Sequence, residues 1–475
     1  MVSLANWFLD TKNAFDTVCG RANDLFHPTI RLGVTGLSQA GKTVFITALV
    51  HNLLESSRLP LFTAARQGRI RRIAIDQQPD ATIPRFDYET SIDALCNDRQ
   101  WPQSTSNLSQ LKISFYFDPQ KTINKVFNRK KFTLELIDYP GEWLLDLPLL
   151  DKSFQYFSKK AIAVARTFDQ VPEAADFLAT IHAINVHDHI DERTVKHLTL
   201  TYLNYIRAQR ASEQSTTLFA PGRFLMAGDY EGAPALTFCP LPNLNDKIKP
   251  NTLAGLMQSR FEAYKKHIVQ PFFQNYIATL DRQIILIDAL TAINGGGKST
   301  TLLRENLAEI LSCFKIGRKS WLNQLFNHRI SRILVAATKA DQIHHSSQDR
   351  LQRLTSQLIE STTNRAQLDP KSLAGLAIAA IRTTREATGK NNDVPFIIGT
   401  PMAGEELDGN YFDGNTEAAI FPGDLPDNLQ EALDASRSGN LKFIRFRPPN
   451  GLREKPLPHI RLDRAIDFLI GDYLQ

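Results

Sequence analysis

The sequence predicts an α/β fold, a mostly parallel sheet flanked by helices, with a large and mainly helical insertion. Three observations carry this reading. Short apolar runs with the character of buried strands recur at 29–35, 132–137, 283–287 and 332–337. Each run breaks off into glycine or polar residues, and the ends of such strands are where an open α/β sheet gathers its ligands. Between the runs lie stretches whose apolar residues recur three and four apart, the helix period. At 475 residues the chain has room for two to four domains and a large buried core.

The first strand, Thr29 to Thr35, leads straight into Gly36-Leu37-Ser38-Gln39-Ala40-Gly41-Lys42-Thr43. Behind it, Val44, Phe45, Ala48, Leu49 and Leu53 recur at helical spacing up to Glu55. This is a G-x-x-x-x-G-K-T phosphate loop between a strand and a helix. Its tight turn aims backbone N–H groups inward, with the positive end of the helix dipole behind them. Gly36, Ser38, Gln39, Ala40, Gly41, Lys42, Thr43 and Val44 are therefore the expected phosphate-side residues. Lys42 should reach the β- and γ-phosphates, and the Thr43 hydroxyl should ligate Mg²⁺. The core of residues 28–149 is interrupted at about 57–104 by an insertion read as irregular with short strands, among them Arg69 to Ile75.

The strand Leu111 to Phe117 follows a hydroxyl-rich loop, Ser104-Thr105-Ser106. A threonine there would join the Mg²⁺ shell only in the presence of a γ-phosphate. Thr105 is the expected residue, with Ser104 and Ser106 as alternatives. The next strand, Phe132 to Ile137, ends in Asp138-Tyr139-Pro140-Gly141. An aspartate in this place holds Mg²⁺, and the following glycine can give its N–H to the γ-phosphate. The metal set is thus Thr43, Thr105 and Asp138, and the reacting end is Lys42, Thr105, Gly141 and Glu142. Glu142 stands where some phosphate-loop proteins carry a glutamine that orients water; its carboxylate could orient water or accept a proton but would repel the γ-phosphate unless screened, so slow turnover is expected. Arg85 or Arg99 could supply an internal cation.

Residues 150–278 read as mainly helical, with runs at 174–185, 195–207 and 256–280 broken by a Pro/Gly-rich piece at 220–250. The core resumes over 279–392, with strands at 283–287 and 332–337. The latter ends in Thr338-Lys339-Ala340-Asp341. A carboxylate such as Asp341 accepts two N–H bonds from the edge of guanine, whereas adenine presents an acceptor there. The Lys339 stem can lie along the base. Ala380, in the strand-like run 373–381, completes the base-side set of Thr338, Lys339, Asp341 and Ala380. Residues 393–475, with strand-like runs at 396–398 and 442–446 and a helix over about 462–474, form an extension packed on the core.

Three motifs in this order, each at a strand end, form a P-loop GTPase core and resemble the translation-factor-related GTPases. More narrowly, the run 138–148, with Trp101-Pro102 and Ala336-Ala337-Thr338-Lys339-Ala340-Asp341, resembles the YcjX-like family of bacterial P-loop GTPases over most of the chain. The resemblance implies a GTP- and GDP-binding, Mg²⁺-dependent protein associated with stress. It also implies a protein effector that the sequence does not identify, a membrane protein being one option. Two other readings stay open at this point. One is an ATPase, if Thr338 in place of the usual asparagine spoils the base pocket; the other is a scaffold that holds nucleotide without turning it over. Gln39 replaces the asparagine of some potassium-dependent GTPases, which leaves potassium activation open.

Composition narrows the rest. Hydrophobic content of 43% and charged content of 22% are those of a soluble globular protein. A net charge of +5 gives no whole-chain nucleic-acid signature. Cys19, Cys96, Cys239 and Cys313 are scattered without metal spacing or a disulfide pattern, which fits a cytoplasmic protein, with peripheral association at the inner membrane as a further option. Nothing among the 11 histidines resembles a metal site. Ala292 to Ser299 imitates a phosphate loop but lacks its first glycine, and reads as a flexible glycine turn. The basic segment Phe314 to Arg329 is either a short packed helix or a surface-docking one.

Overall fold

Seven strands form the central sheet of the computed structural model, in the order β2-β3-β4-β1-β5-β6-β7. The structure describes residues 28–475 except 38–39, 56–58, 79–81, 104–106, 121–129, 189–190, 212–220, 246, 315–329, 367–371, 389–394, 435–440 and 453–455. The strands are β1 (Thr29–Gly36), β2 (Ile70–Ile75), β3 (Ser109–Phe117), β4 (Lys131–Asp138), β5 (Arg282–Ile287), β6 (Arg332–Ala337) and β7 (Leu373–Ala377). Across the sheet from β4 to β7, every neighbouring pair is parallel. β2, β3 and β4 pair antiparallel, so the first insertion adds an edge strand to the sheet.

The parallel strands are apolar at successive positions because both faces are covered. Ile137, Ile285, Ile287, Val335 and Ala337 enter one buried cluster. Their neighbours Leu136, Ile284, Leu286, Leu334 and Ala336 enter the other. Successive side chains of a strand point to opposite faces, so this split follows from the pleat. Each large side chain buried in this way contributes roughly 1.5–3 kcal/mol. Two helices close the second cluster. The helix α1 (Lys42–Glu55) contributes Phe45, Ile46 and Leu49, and the C-terminal helix Leu462–Ile470 contributes Ala465, Ile466 and Leu469.

On the other face lie α2 (Gly296–Cys313) and α3 (His345–Ala366), with Leu303, Leu307, Leu351 and Leu354 turned inward. The insertion's helices Phe154–Thr167, Pro172–His182, Glu192–Ala211 and Leu253–Tyr264 join the same cluster. Aromatic pairs fill its centre. Phe157 stacks on Phe261 with ring centroids 5.1 Å apart, and Phe224 meets Phe238 edge-on at 4.8 Å. Phe272 links this centre to the sheet, edge-on to Tyr139 at 5.6 Å and to Trp143 at 5.1 Å. The insertion therefore shares its core with one face of the sheet.

The tail is tied down by polar contacts as well. Arg282 donates to the Leu469 carbonyl at 2.9 Å and to the Asp472 carboxylate at 2.8 Å. The carboxylates of Asp463 and Asp467 accept the Leu61 and Thr63 N–H groups, each at 2.9 Å. A small three-stranded sheet joins β8 (Arg385–Thr388), which precedes residue 393, to β9 (Pro395–Gly399) and the strand Ala418–Ile420 of the C-terminal stretch.

Two local expectations are corrected. The run 442–446 is not a strand; it makes one bridge, between Pro401 and Phe446, and Lys442 donates its N–H to the Pro422 carbonyl at 3.0 Å. The bridge partner Pro401 has no N–H to donate, and Pro448 and Pro449 have none either, so the pairing does not extend beyond Arg447. Residues 292–299 do not form a flexible turn after a strand. They make the junction between the helix Ala289–Asn294 and α2, with Gly296 at φ +81° and the Thr300 hydroxyl donating to the Ala292 carbonyl at 3.2 Å. The basic segment 315–329 lies outside the described residues. Among the described residues no helix is long and apolar enough to cross a membrane.

Candidate functional site

β1 ends at Gly36, and the chain turns sharply into α1. Leu37 donates its N–H to the Leu286 carbonyl at 2.9 Å, and Ala40 donates to Leu37 at 3.0 Å. Gly41 then adopts φ +76°, a left-handed backbone that only glycine takes without strain. A Cβ there would touch nothing within 4 Å, so conformation and not space requires the glycine. Lys42 and Thr43 open the helix and are both buried. Ala40 is buried as well, and Val44 packs half-buried against the second cluster. Ser38 and Gln39 lie outside the described residues.

Asp138 reaches the same place through sheet register. β4 runs parallel to β1, and Asp138 stands opposite Val34, two residues before the loop begins. Its carboxylate makes a buried ion pair with the Lys42 ammonium. Its other oxygen accepts the Ser109 hydroxyl at 3.2 Å, because Ser109 is the register partner of Asp138 on β3. Gly141 follows so closely that a Cβ on it would lie 2.1 Å from the Gly36 carbonyl oxygen. Glu142 is buried at the start of the 3-10 helix Gly141–Asp151. Thr105 lies outside the described residues.

The residues expected on the base side lie at and beyond the ends of β6 and β7. Thr338 donates its N–H to the Ile287 carbonyl at 2.9 Å, and so holds its loop to β5. Lys339 adopts φ +61°, and its ammonium pairs with Asp288 at 2.5 Å. Asp288 also caps the helix Ala289–Asn294, accepting Thr291 N–H at 3.1 Å and the Thr291 hydroxyl at 2.9 Å. One oxygen of the buried Asp341 carboxylate accepts both the Thr383 N–H at 3.0 Å and the Thr383 hydroxyl at 2.5 Å. Burial pushes this carboxyl above its ordinary range, and the Thr383 bonds pull the other way. Ala380 is half-buried just beyond β7. β1 and β6 are two strands apart, roughly 10 Å across the sheet, a span that a nucleotide bridges from phosphate to base.

Three partners escape a reading of the sequence. Asp288 carries a local signal, an aspartate three residues before Thr291 at a helix start. Ser109 and Thr383 carry none, because their roles come from register and from chain return. The two candidate cations are engaged elsewhere: Arg85 pairs with Glu89 at 2.7 Å, and Arg99 donates to the Pro448 carbonyl at 3.0 Å.

The family model for the YcjX-like family, DUF463, matches residues 30–474. The chain belongs to the YcjX-like family. It is similar to the protein named Ras-like GTPase YcjX of Shewanella oneidensis, 32% identical over 96% of this chain and 97% of that one. It is also similar to the protein of the same name from Escherichia coli, 31% identical over 98% and 99%. The family match spans the sheet, residues 150–278 and the C-terminal helix.

Proposed function

We propose that this chain binds guanine nucleotide and hydrolyses GTP slowly, changing state as the loops around Thr105 and Gly141 engage or release the γ-phosphate. The observation that supports the reading is the alignment, at strand ends of one sheet, of Lys42 and Asp138 at the adjacent strands β1 and β4 and of Asp341 two strands away after β6. The names of the two relatives support it.

The chemistry of each residue follows from its setting. Lys42 is held against Asp138 and has a phosphate anion as its natural competitor for the pairing. Thr43 and Asp138 offer a hydroxyl and a carboxylate, hard oxygen donors suited to Mg²⁺. They would hold that ion, which neutralises phosphate charge when bound. Gly141 would give its N–H to the γ-phosphate, and Thr105 would approach from the loop before β3. Glu142 would bring a carboxylate toward that anion, which is the physical reason to expect slow turnover. Asp341 would accept guanine's two N–H donors, and adenine offers an acceptor instead. Stress association and an effector protein rest on family resemblance.

Lys42→Ala tests the reading. A charge-assisted bond is worth about 1.5–3 kcal/mol, so affinity for GTP and GDP should fall by roughly ten- to a hundredfold or more. Wild-type affinity in this variant, measured by titration calorimetry, would refute the site.

A further inference from the structure

We propose that Arg223, supplied by the helical insertion, is a positioning residue that holds the loop after Asp138 and so couples the insertion to the γ-phosphate end of the site. The proposal rests on the GTPase reading above. Four observations converge on it.

The Arg223 guanidinium carbon lies 3.2 Å from the centroid of the Trp143 ring, two residues after Gly141. It is also 5.4 Å from Phe272 and 5.6 Å from Tyr230, and the residue is buried. The backbone here is held by Asp146, whose two carboxylate oxygens accept the Gly222 N–H at 2.7 Å and the Arg223 N–H at 3.2 Å. Gly222 presses on the same loop: a Cβ there would lie 1.9 Å from the Glu142 carbonyl oxygen. Finally, a Cβ on Gly228 would sit 3.6 Å from Asn107 Oδ1, 3.9 Å from Arg223 Nη1 and 4.0 Å from Trp143 Cζ2. The loop before β3, the insertion and the loop after β4 therefore meet at one point.

Burying an arginine carries a desolvation penalty that an apolar side chain of the same volume would avoid. A planar guanidinium can stack on an indole in a way that a lysine ammonium cannot. The arrangement fixes Trp143 and Asp146, and through them the backbone of Gly141 and Glu142. A shift of the γ-phosphate loop must then move the segment 221–230, and a partner bound to the insertion would act back on the loop by the same contacts.

The test uses the full chain with Arg223→Met and Arg223→Lys. Turnover of GTP, affinity for GDP, and hydrogen exchange over 141–151 are measured with GDP and with a non-hydrolysable GTP analogue. Both variants should lose about tenfold or more in kcat, because small displacements at a reacting centre slow the chemical step steeply. GDP affinity should stay within about threefold, and the difference in exchange between the two nucleotides should shrink. A kcat within about twofold of wild type, with that exchange difference intact, overturns the proposal. If the Met variant melts far below wild type, Trp143→Leu removes the same stack from the other side and must give the same phenotype. If the wild-type chain binds no guanine nucleotide, the GTPase reading fails by itself. In that case unchanged exchange over 141–151 in nucleotide-free Arg223→Met overturns the coupling too.

Discussion

Replacing Asp341 by Asn should exchange one base for another, and the hydrogen bonds around this carboxylate say why. One of its oxygens is committed to Thr383, accepting the N–H at 3.0 Å and the hydroxyl at 2.5 Å. A backbone N–H can only donate, so in the Asp341→Asn variant the side-chain amide oxygen must take that place. The amide –NH₂ group then points where the second carboxylate oxygen stood. Guanine presents donors on this edge, so two charge-assisted bonds are lost, at about 1.5–3 kcal/mol each. GTP affinity should fall by roughly two to four powers of ten. Xanthine carries a carbonyl in place of guanine's amino group and can accept the new N–H, so XTP should bind the variant better than GTP does. Competition titrations with GTP, XTP and ATP on both proteins read this directly. GTP affinity within about threefold of wild type, or no preference for XTP in the variant, would refute the reasoning.

Two further outcomes follow from the same geometry. Gly141→Ala places a methyl group 2.1 Å from the Gly36 carbonyl oxygen, so the loop must retreat by about an ångström at a cost of roughly 1–3 kcal/mol. GDP affinity should persist within about threefold while affinity for a GTP analogue drops about tenfold or more, and equal losses for both would count against the γ-phosphate role. Burial raises the Asp146 carboxyl from its ordinary 3.8 to about 6. The folded chain thus holds this proton more tightly than the unfolded chain, and the group's contribution to stability rises as pH falls through 6 and levels off below 3.8. Going from about pH 7.5 to about pH 5 should gain roughly 1 kcal/mol through this group. Urea unfolding of wild type and Asp146→Asn at both pH values should show the variant lacking that gain; a gain of equal size in the variant contradicts it.

The legible part of this protein is the part written locally. The strands of the sheet and the three motifs at strand ends show in the sequence because a covered strand must be apolar and a phosphate loop must carry glycine at fixed offsets. The structure brings Lys42, Thr43, Asp138 and Gly141 together at the ends of adjacent strands, and Asp341 two strands away. What stayed hidden is set by chain return. Ser109 reaches Asp138 through antiparallel register, and Thr383 reaches Asp341 after the chain has left β7. Arg223 meets Trp143 only after three intervening helices. The run 442–446 misled because Phe443, Ile444 and Phe446 are strand-favouring residues, while its bridge partner is Pro401, which has no N–H to extend a ladder. The pseudo-loop 292–299 misled because glycines before a helix also serve a tight helix–helix junction.

The most direct test of the account is turnover of GTP and ATP side by side in Mg²⁺ buffer, together with the identity of the nucleotide carried by the purified chain. The account predicts bound GDP and slow hydrolysis of GTP with little use of ATP. Bound ADP, or equal turnover of the two, would contradict the role given to Asp341 and leave only a phosphate loop of unspecified preference.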